Sequence, residues 1–423
     1  MMRRILLRNI VLSGRCQDVL ICGKRFQRIA DCIDEAADQV IDGSGQLALV
    51  PPFYNLHSHA AMTLLRGYAD DMELFEWLEK YIWPAEELLT HEDVYWGSKL
   101  ALLEMIRGGT VFVNDMYWHQ TASLDAVEEM GLRAAIGYMF ICVPGGGVLE
   151  NNLRANAQLK ERAANCSSRI HLTYAPHAIY TVNEKTLREI AEEAQQEQAV
   201  LHIHAAETVR ELEDCRKAHG MTPIAYLDQL GVLGPKTVLA HCTHLSDEDI
   251  AIISERGAVI AHNPISNMKL CSGLFRFQAA LEAGCRIGIG TDGCASNNNL
   301  SMLEEMKVAA LSAKVQAAQP TAGRDRDVFA AATTAGCALF DIDGGEIAEG
   351  KLADALLLRL NHPLMLGDYN LIANLVYSAD SSVLDTLICD GKILMRNGKV
   401  DGEEEILARN REICRKIAAA RPS

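Results

Sequence analysis

The stretch Asn55-Leu56-His57-Ser58-His59 sets two histidines two residues apart, just after the apolar run Leu47-Ala48-Leu49-Val50. In a β-strand, residues i and i+2 face the same way, so His57 and His59 can aim both imidazoles at one point. Converging imidazoles suit zinc. Alone, His-x-His is a weak signal. Its weight comes from later apolar segments that end in His204, His241 and Asp292, each followed by polar or loop-like residues. Ordinary core histidines do not recur at the ends of strand-like runs in this way.

Working outward, near-continuously apolar runs alternate with amphipathic segments. They are Leu47–Leu56, Thr110–Asn114, Ala134–Ile141, Ile170–Ala175, Val200–His204, Thr237–His241, Ala258–Ala261 and Arg286–Gly290. Strands buried on both faces read this way in parallel sheets. Eight of them alternating with helices is the count of an α/β fold of the (β/α)8 TIM-barrel type. The helices carry their own signals. Thr90 with Asp93, Thr181 with Glu184, and Ser246 with Asp249 fit a capping pattern. Thr222-Pro223 puts Pro at a first helical position, and Gly108-Gly109 stops a helix before the second strand. Leu74, Trp77, Leu78 and Tyr81 predict a one-faced helix, with Leu74 and Leu78 packing on the barrel.

The chain ends differ from this middle. Ile5–Leu12, Val19–Cys22 and Phe26–Ile33 read as short strands, as do Ala353–Leu360 and Thr386–Leu394, before a terminal helix near 403–419. The expected organisation is a small β-sandwich built from both termini (residues 1–51, and 346–423 with the terminal helix) beside a catalytic barrel at 52–345.

A formal charge of −16 speaks against nucleic acid and anionic membranes as partners. The 13 cysteines are odd in number, lack any Cys-x-x-Cys and often lie in apolar runs, which reads as buried reduced thiols of a cytosolic protein. Ile5-Leu6-Leu7 is broken by Arg8 and Asn9, so no signal-peptide core forms. No apolar stretch approaches the roughly 20 residues of a membrane span. A soluble, cytoplasmic protein is expected, and a homo-oligomer, since large barrel enzymes often associate.

In barrel enzymes the site lies at the C-terminal ends of the strands. There His57, His59 and His204 supply three nitrogens, and Asp292 an oxygen ligand or a holder for metal-bound water. Glu207, three residues past His204, is placed to move protons without being a ligand. His241 orients hydroxide or polarises the substrate. His202 and His204 share one face of their strand. His204 is favoured for its place near the strand end and its spacing to Glu207, with His202 the alternative. His262 reads as structural or substrate-facing. No lysine ends the fourth run, so a carboxylated lysine bridging two metals is not expected, and one divalent ion is.

The residues then match a known family. The chain resembles the amidohydrolase superfamily, and within it the 5′-methylthioadenosine/S-adenosylhomocysteine deaminase branch, near the triazine chlorohydrolases. The resemblance spans nearly the whole chain and rests on His57-Ser58-His59, Thr63-Leu64-Leu65-Arg66-Gly67, Trp83-Pro84-Ala85-Glu86 and Asn114-Asp115-Met116-Tyr117. It continues through Ala175-Pro176-His177, His204-Ala205-Ala206-Glu207-Thr208, Ala240-His241-Cys242, His262-Asn263-Pro264 through Leu270, and Gly290-Thr291-Asp292-Gly293 through Asn298.

It implies one divalent metal, zinc or alternatively ferrous iron, on His57, His59, His204 and Asp292. Glu207 would carry protons and His241 assist the attacking hydroxide. Glu86 matches a carboxylate that holds ribose hydroxyls, His177 a histidine near base and sugar, and Trp77 and Ser296 further pocket residues. The implied activity is hydrolytic deamination of an adenine nucleoside to the inosine analogue and ammonia. Tyr138 and Val148 stand where members that accept S-adenosylhomocysteine carry arginines for its carboxylate. A buried carboxylate without a cation is costly. Adenosine, 5′-methylthioadenosine and 5′-deoxyadenosine are therefore the expected substrates, with Tyr138, Phe140 and Val148 as an apolar wall. Pro51-Pro52-Phe53 departs from the family's usual Pro-Gly. The alternatives are the same machinery on guanine, 8-oxoguanine, a pterin or a triazine, an amide or cyclic-imide hydrolase, or a metal-free binding scaffold.

Overall fold

A computed structural model describes residues 2–367 and 369–421. Among these residues sixteen strands form two sheets. In chain order they are β1 (Arg4–Leu12), β2 (Arg15–Cys22), β3 (Arg25–Ala30), β4 (Gln39–Asp42), β5 (Leu47–Val50), β6 (Phe53–Ser58), β7 (Thr110–Asp115) and β8 (Arg133–Phe140). Then come β9 (Ile170–Pro176), β10 (Val200–Ala205), β11 (Thr237–His241), β12 (Val259–His262), β13 (Arg286–Ile289), β14 (Ala355–Arg359), β15 (Leu384–Cys389) and β16 (Lys392–Met395).

β6 through β13 pair in chain order, each parallel to the next, with helices in the connections. Every residue of β7, β10, β11 and β12 is buried. Helices cover one face and the lumen the other, which is why these runs carry no polar alternation. β13 and β6 close the barrel without a ladder. Asn55 does it with its side chain, donating to Thr291 Oγ1 at 2.7 Å and accepting from Thr291 N–H at 3.1 Å. Asp292 N–H donates to His57 O at 2.9 Å. Gly290 permits this approach, since a Cβ there would lie 2.8 Å from the His57 nitrogen.

The second sheet takes strands from both chain ends, in the order β16-β15-β14-β5-β1-β2-β3, with β4 also on β1. The run Leu47–Leu56, expected as one strand, is therefore two. β5 pairs antiparallel with β14 in the terminal sheet, and β6 opens the barrel. Pro51 and Pro52 separate them because neither has an N–H for a ladder. The terminal helix, Glu403–Ala420, returns to the helix His91–Arg107, where Asn410 donates to Trp96 O at 2.9 Å. No helix among the described residues is long and apolar enough to cross a membrane.

Two local expectations change. The predicted helix through Leu74–Tyr81 is broken into Leu74–Trp77, a π-helical turn Leu78–Ile82, and Trp83–Glu86. Thr181 does not cap a helix. Asn183 caps Glu184–Gln196 instead, accepting from Thr186 N–H. The capping boxes at Thr90 and Ser246 are present.

A buried ion-pair cluster joins the barrel to the terminal sheet. Arg133, at the start of β8, donates to Asp354 at 2.7 and 3.1 Å and to Asp390 at 2.9 Å. Tyr54 adds a hydrogen bond to Asp354 at 3.0 Å. Removing one partner leaves uncompensated buried charge, so Arg133→Ala is expected to cost about 3–5 kcal/mol. Urea unfolding monitored by circular dichroism measures this; a loss below about 1 kcal/mol would show that the cluster does not hold the two sheets together.

Candidate active site

The strand ends of the barrel bring His57, His59, His204, His241 and Asp292 to one point. His57 Nε2 lies 3.4 Å and His59 Nε2 3.3 Å from Asp292 Oδ1, and His204 Nε2 lies 3.3 Å from His59 Nε2. His57, His204 and His241 form a second converging trio. Each ring is aimed from behind. His59 Nδ1–H donates to Met116 O at 2.5 Å, and His204 Nδ1–H to His177 O at 2.8 Å. His57 Nδ1 meets His202 Nε2 at 2.8 Å, one layer deeper in the lumen. Such bonds fix tautomers and leave Nε2 lone pairs facing inward.

That geometry tests the fit of a cation. Buried His57 Nε2 has no hydrogen-bond partner among the described residues. Burial lowers His57 to about 4, so its ring is neutral, as a ligand must be. Asp292 stays well below the ordinary carboxylate range. Burial raises it, but the nearness of His57 and His59 outweighs that. For His59, burial opposes a proton, yet Asp292 raises it to about 9. With Nδ1–H on a carbonyl, this second proton sits on Nε2, facing Asp292 and His204. A divalent ion would displace it. The residues present therefore fit a divalent metal.

Glu207 follows β10, with one oxygen accepting from Ser272 Oγ–H at 3.2 Å and the other 3.9 Å from His241 Nε2. Burial raises its pKa and His241 opposes the rise, which suits a group that must hold and release a proton. His241 Nδ1 is fixed on Asn267 Oδ1 at 2.7 Å. Asp292 Oδ2 accepts from Ser266 at 2.6 Å and Ser296 at 2.9 Å. Ala206, His241 and Asp292 all take left-handed backbone, at φ 51°, 74° and 60°. Non-glycine residues adopt it at a cost, and it clusters at working sites.

One cavity gathers most of the predicted residues. His59, Trp77, Glu86, His177, His204, Glu207, His241, Asp292 and Ser296 all line it. Trp77 donates Nε1–H to Ala69 O at 3.0 Å and offers its ring to the cavity. Glu86 accepts from Trp118 Nε1–H at 3.0 Å, while its Oε1 is buried without a partner among the described residues. Its pKa is raised by burial. His177 is lowered to about 3 by burial, so it works as a neutral ring. Its Nδ1 meets Thr181 Oγ1 at 2.9 Å, the role Thr181 has in place of a helix cap.

Leu74 and Leu78 pack as expected, in a buried cluster with Leu65, Val94 and Tyr117, and also line the cavity. Other expectations are corrected. Tyr138 and Val148 are not among its lining residues. Successive strand residues face opposite ways, so Met139 points into the cavity while the Tyr138 ring packs on Tyr174, 5.6 Å away. Val148 bridges to Cys142. Phe140 stacks on Tyr174, 6.1 Å away. The apolar wall is Met116, Met139 and Ile141 instead. A groove of about 730 Å³ adjoins it, sharing Trp83, Glu86, Trp118 and Ile141 and adding Arg154. Arg154 follows no strand end and carries no motif, so only the fold places it there.

Residues 48–394 match the amidohydrolase family, and the chain belongs to that family. Within it, the chain is 46% identical over 378 residues to a 5′-deoxyadenosine deaminase of Methanospirillum hungatei, covering 89% of this chain and 84% of that relative. It is 44% identical over 388 residues to a 5-methylthioadenosine/S-adenosylhomocysteine deaminase of Archaeoglobus fulgidus, covering 91% of each. Among solved structures, an adenosine deaminase from Xanthomonas campestris with bound zinc superposes with a TM-score of 0.92 at 30% identity, covering 98% of each chain.

The His202–His57 contact carries a prediction. His202→Asn is expected to weaken metal binding roughly 10- to 100-fold, as loss of a ligand's hydrogen-bond partner does. His204→Ala should leave the purified protein near metal-free. Competition with a chromogenic chelator reads both; unchanged affinity in His202→Asn would mean that His202 does not hold the His57 ring.

Proposed function

We propose that this chain is a metal-dependent hydrolytic deaminase of adenine nucleosides, acting on adenosine, 5′-methylthioadenosine or 5′-deoxyadenosine and releasing ammonia. The ion is zinc, with ferrous iron the alternative, held by His57, His59, His204 and Asp292. The observation that carries this reading is one cavity with two kinds of wall. It holds the imidazole–carboxylate cluster with Glu207, and also Glu86 with a free buried oxygen. A nucleoside offers a purine edge to the first and sugar hydroxyl donors to the second. The named activities of the relatives support it.

Bound there, a divalent ion supplies Lewis acidity that brings a water's pKa towards about 7. The protein's own groups do the rest. Asp292 and Glu207 take protons from the attacking water as its oxygen bonds to C6. Glu207 hands a proton to N1, and His241 faces the developing charge at C6. The C6–N bond then breaks, the amino group leaves as ammonia with the second water proton, and the C6 carbonyl remains. His177, neutral at working pH, and Trp77 orient the base and sugar. Ser296 keeps Asp292 aimed. The thirteen cysteines are all free, which suits the cytoplasmic location included in this reading.

The adjoining groove gives a 5′ substituent room beyond Glu86. Arg154 lines that groove but already meets Glu150 at 3.6 Å and Asn151 at 3.1 Å, so it is not a free counterpart for the carboxylate of S-adenosylhomocysteine. Ultraviolet absorbance on zinc-loaded protein is expected to show turnover of the three named nucleosides and weak turnover of S-adenosylhomocysteine. Strong S-adenosylhomocysteine activity that Arg154→Ala abolishes, sparing 5′-methylthioadenosine, would instead make Arg154 the carboxylate's partner.

Glu207→Gln should lower kcat by at least roughly 10²-fold with metal still bound; near-normal turnover would sink the proton-carrier role. Glu86→Ala should damage nucleosides far more than free bases. Equal losses on both would favour a free-base enzyme.

A further inference from the structure

Several buried carboxylates lie outside the groups assigned to substrate and metal, Asp115, Glu211 and Glu305 among them, and Glu211 is the one bonded to the backbone of Glu207. Glu211 is 3% exposed and has no cationic partner among the described residues. Burying a carboxylate without a cation is costly, so other bonds must offset it. They come from two successive peptide N–H groups. Glu211 Oε1 accepts from Ala206 N–H at 3.0 Å and Oε2 from Glu207 N–H at 2.8 Å.

This is not ordinary helix capping. Glu211 is the third residue of the helix Val209–His219, whose cap is Thr208, and the Thr208 hydroxyl accepts from Glu211 N–H at 3.1 Å. In a capping box the third residue's carboxylate returns to the cap's own N–H. Here it reaches past the cap to the two residues before it, one of which is Glu207. Two consecutive N–H groups next to a left-handed residue make an anion nest, and Ala206 is left-handed at φ 51°.

The carbonyl side of Glu207 is also held. Thr243 Oγ–H donates to Glu207 O at 2.5 Å and lies 3.3 Å from Ala206 O. Thr243 sits two residues past His241, in the loop that follows β11. The Glu207 backbone is thus tied at its N–H to its own helix and at its C=O to the His241 loop.

We propose that Glu211 and Thr243 are positioning residues that hold the Glu207 backbone at its N–H and its C=O and set its carboxylate at its working distance from His241. The proposal rests on the reading of Glu207 as proton carrier. Neither residue touches substrate or metal, and each acts only through Glu207. Displacing a reacting group by about 1 Å costs on the order of 10²-fold in rate, so the clamp shows in kcat rather than in KM.

The test is a double-mutant cycle on zinc-loaded full-length protein, with the nucleoside turned over fastest as probe. Glu211→Gln and Thr243→Val are each expected to lower kcat roughly 10- to 100-fold. KM should stay within about twofold, and metal content should not change. In a Glu207→Gln background the same substitutions should change the residual kcat by less than about twofold, because residues acting as a unit are non-additive. A near-normal kcat in both single variants would overturn the proposal. So would a loss that falls on KM or metal content, or one that reappears in full on top of Glu207→Gln. Thr243→Val carries the test alone if Glu211→Gln does not fold. Normal turnover by Glu207→Gln itself would instead locate the failure in the proton-carrier reading.

Discussion

Three imidazole nitrogens and a carboxylate are forced together at the mouth of the barrel, and positive charge must sit between them. His59 and His204 face each other through Nε2 at 3.3 Å, with both Nδ1 groups committed to strand-end carbonyls. Asp292 approaches the same point. The arrangement is stable only around a proton or a metal ion. Much of the barrel's irregularity serves it. β6 and β13 close through Asn55 and Thr291 rather than through a ladder, and Gly290 lets His57 come close.

Burial is nearly uniform across the site, so the neighbours decide what each acid does. Asp292 lies 3.4 Å from His57 and 3.3 Å from His59 and remains an anion. Glu207 and Glu86 are as deeply buried but lack comparable partners, and both are raised. Glu211 is raised to about 7 by burial although two peptide N–H groups oppose the rise. One desolvating environment thus holds Asp292 as an anion while raising Glu207, Glu86 and Glu211. The divergence comes from a few hydrogen bonds a few ångströms long.

The loops at these strand ends share a backbone device. Ala206, His241 and Asp292, each at or just past a strand end, are left-handed without being glycine. Each turn is paid for by bonds at its own shoulders: Glu211 at Ala206, Asn267 at His241, and Gly293 N–H with Ser266 and Ser296 at Asp292. The strain is local and its restraints come from neighbouring loops, so the site is assembled by the barrel and not by any one segment.

The alternation of apolar runs with capped helices was enough for the barrel, because strands buried on both faces have a composition that helices do not share. The metal-type residues were legible for the same reason, since period-two geometry and a place at a run's end are sequence properties. Only the tertiary structure decided the rest. Pro51-Pro52 divides a run between two sheets, and nothing in the run itself says which half pairs with β14, because pairing is a long-range choice. Whether Tyr138 or Met139 faces the cavity depends on register, and a one-residue shift exchanges them. Leu74 and Leu78 lie on an apolar stripe that would read the same against the barrel or over a substrate. Arg154, Thr181, Glu211 and Thr243 acquire roles only from what the fold sets beside them. Sequence carries local geometry and burial; contacts between segments far apart in the chain exist only once the barrel closes.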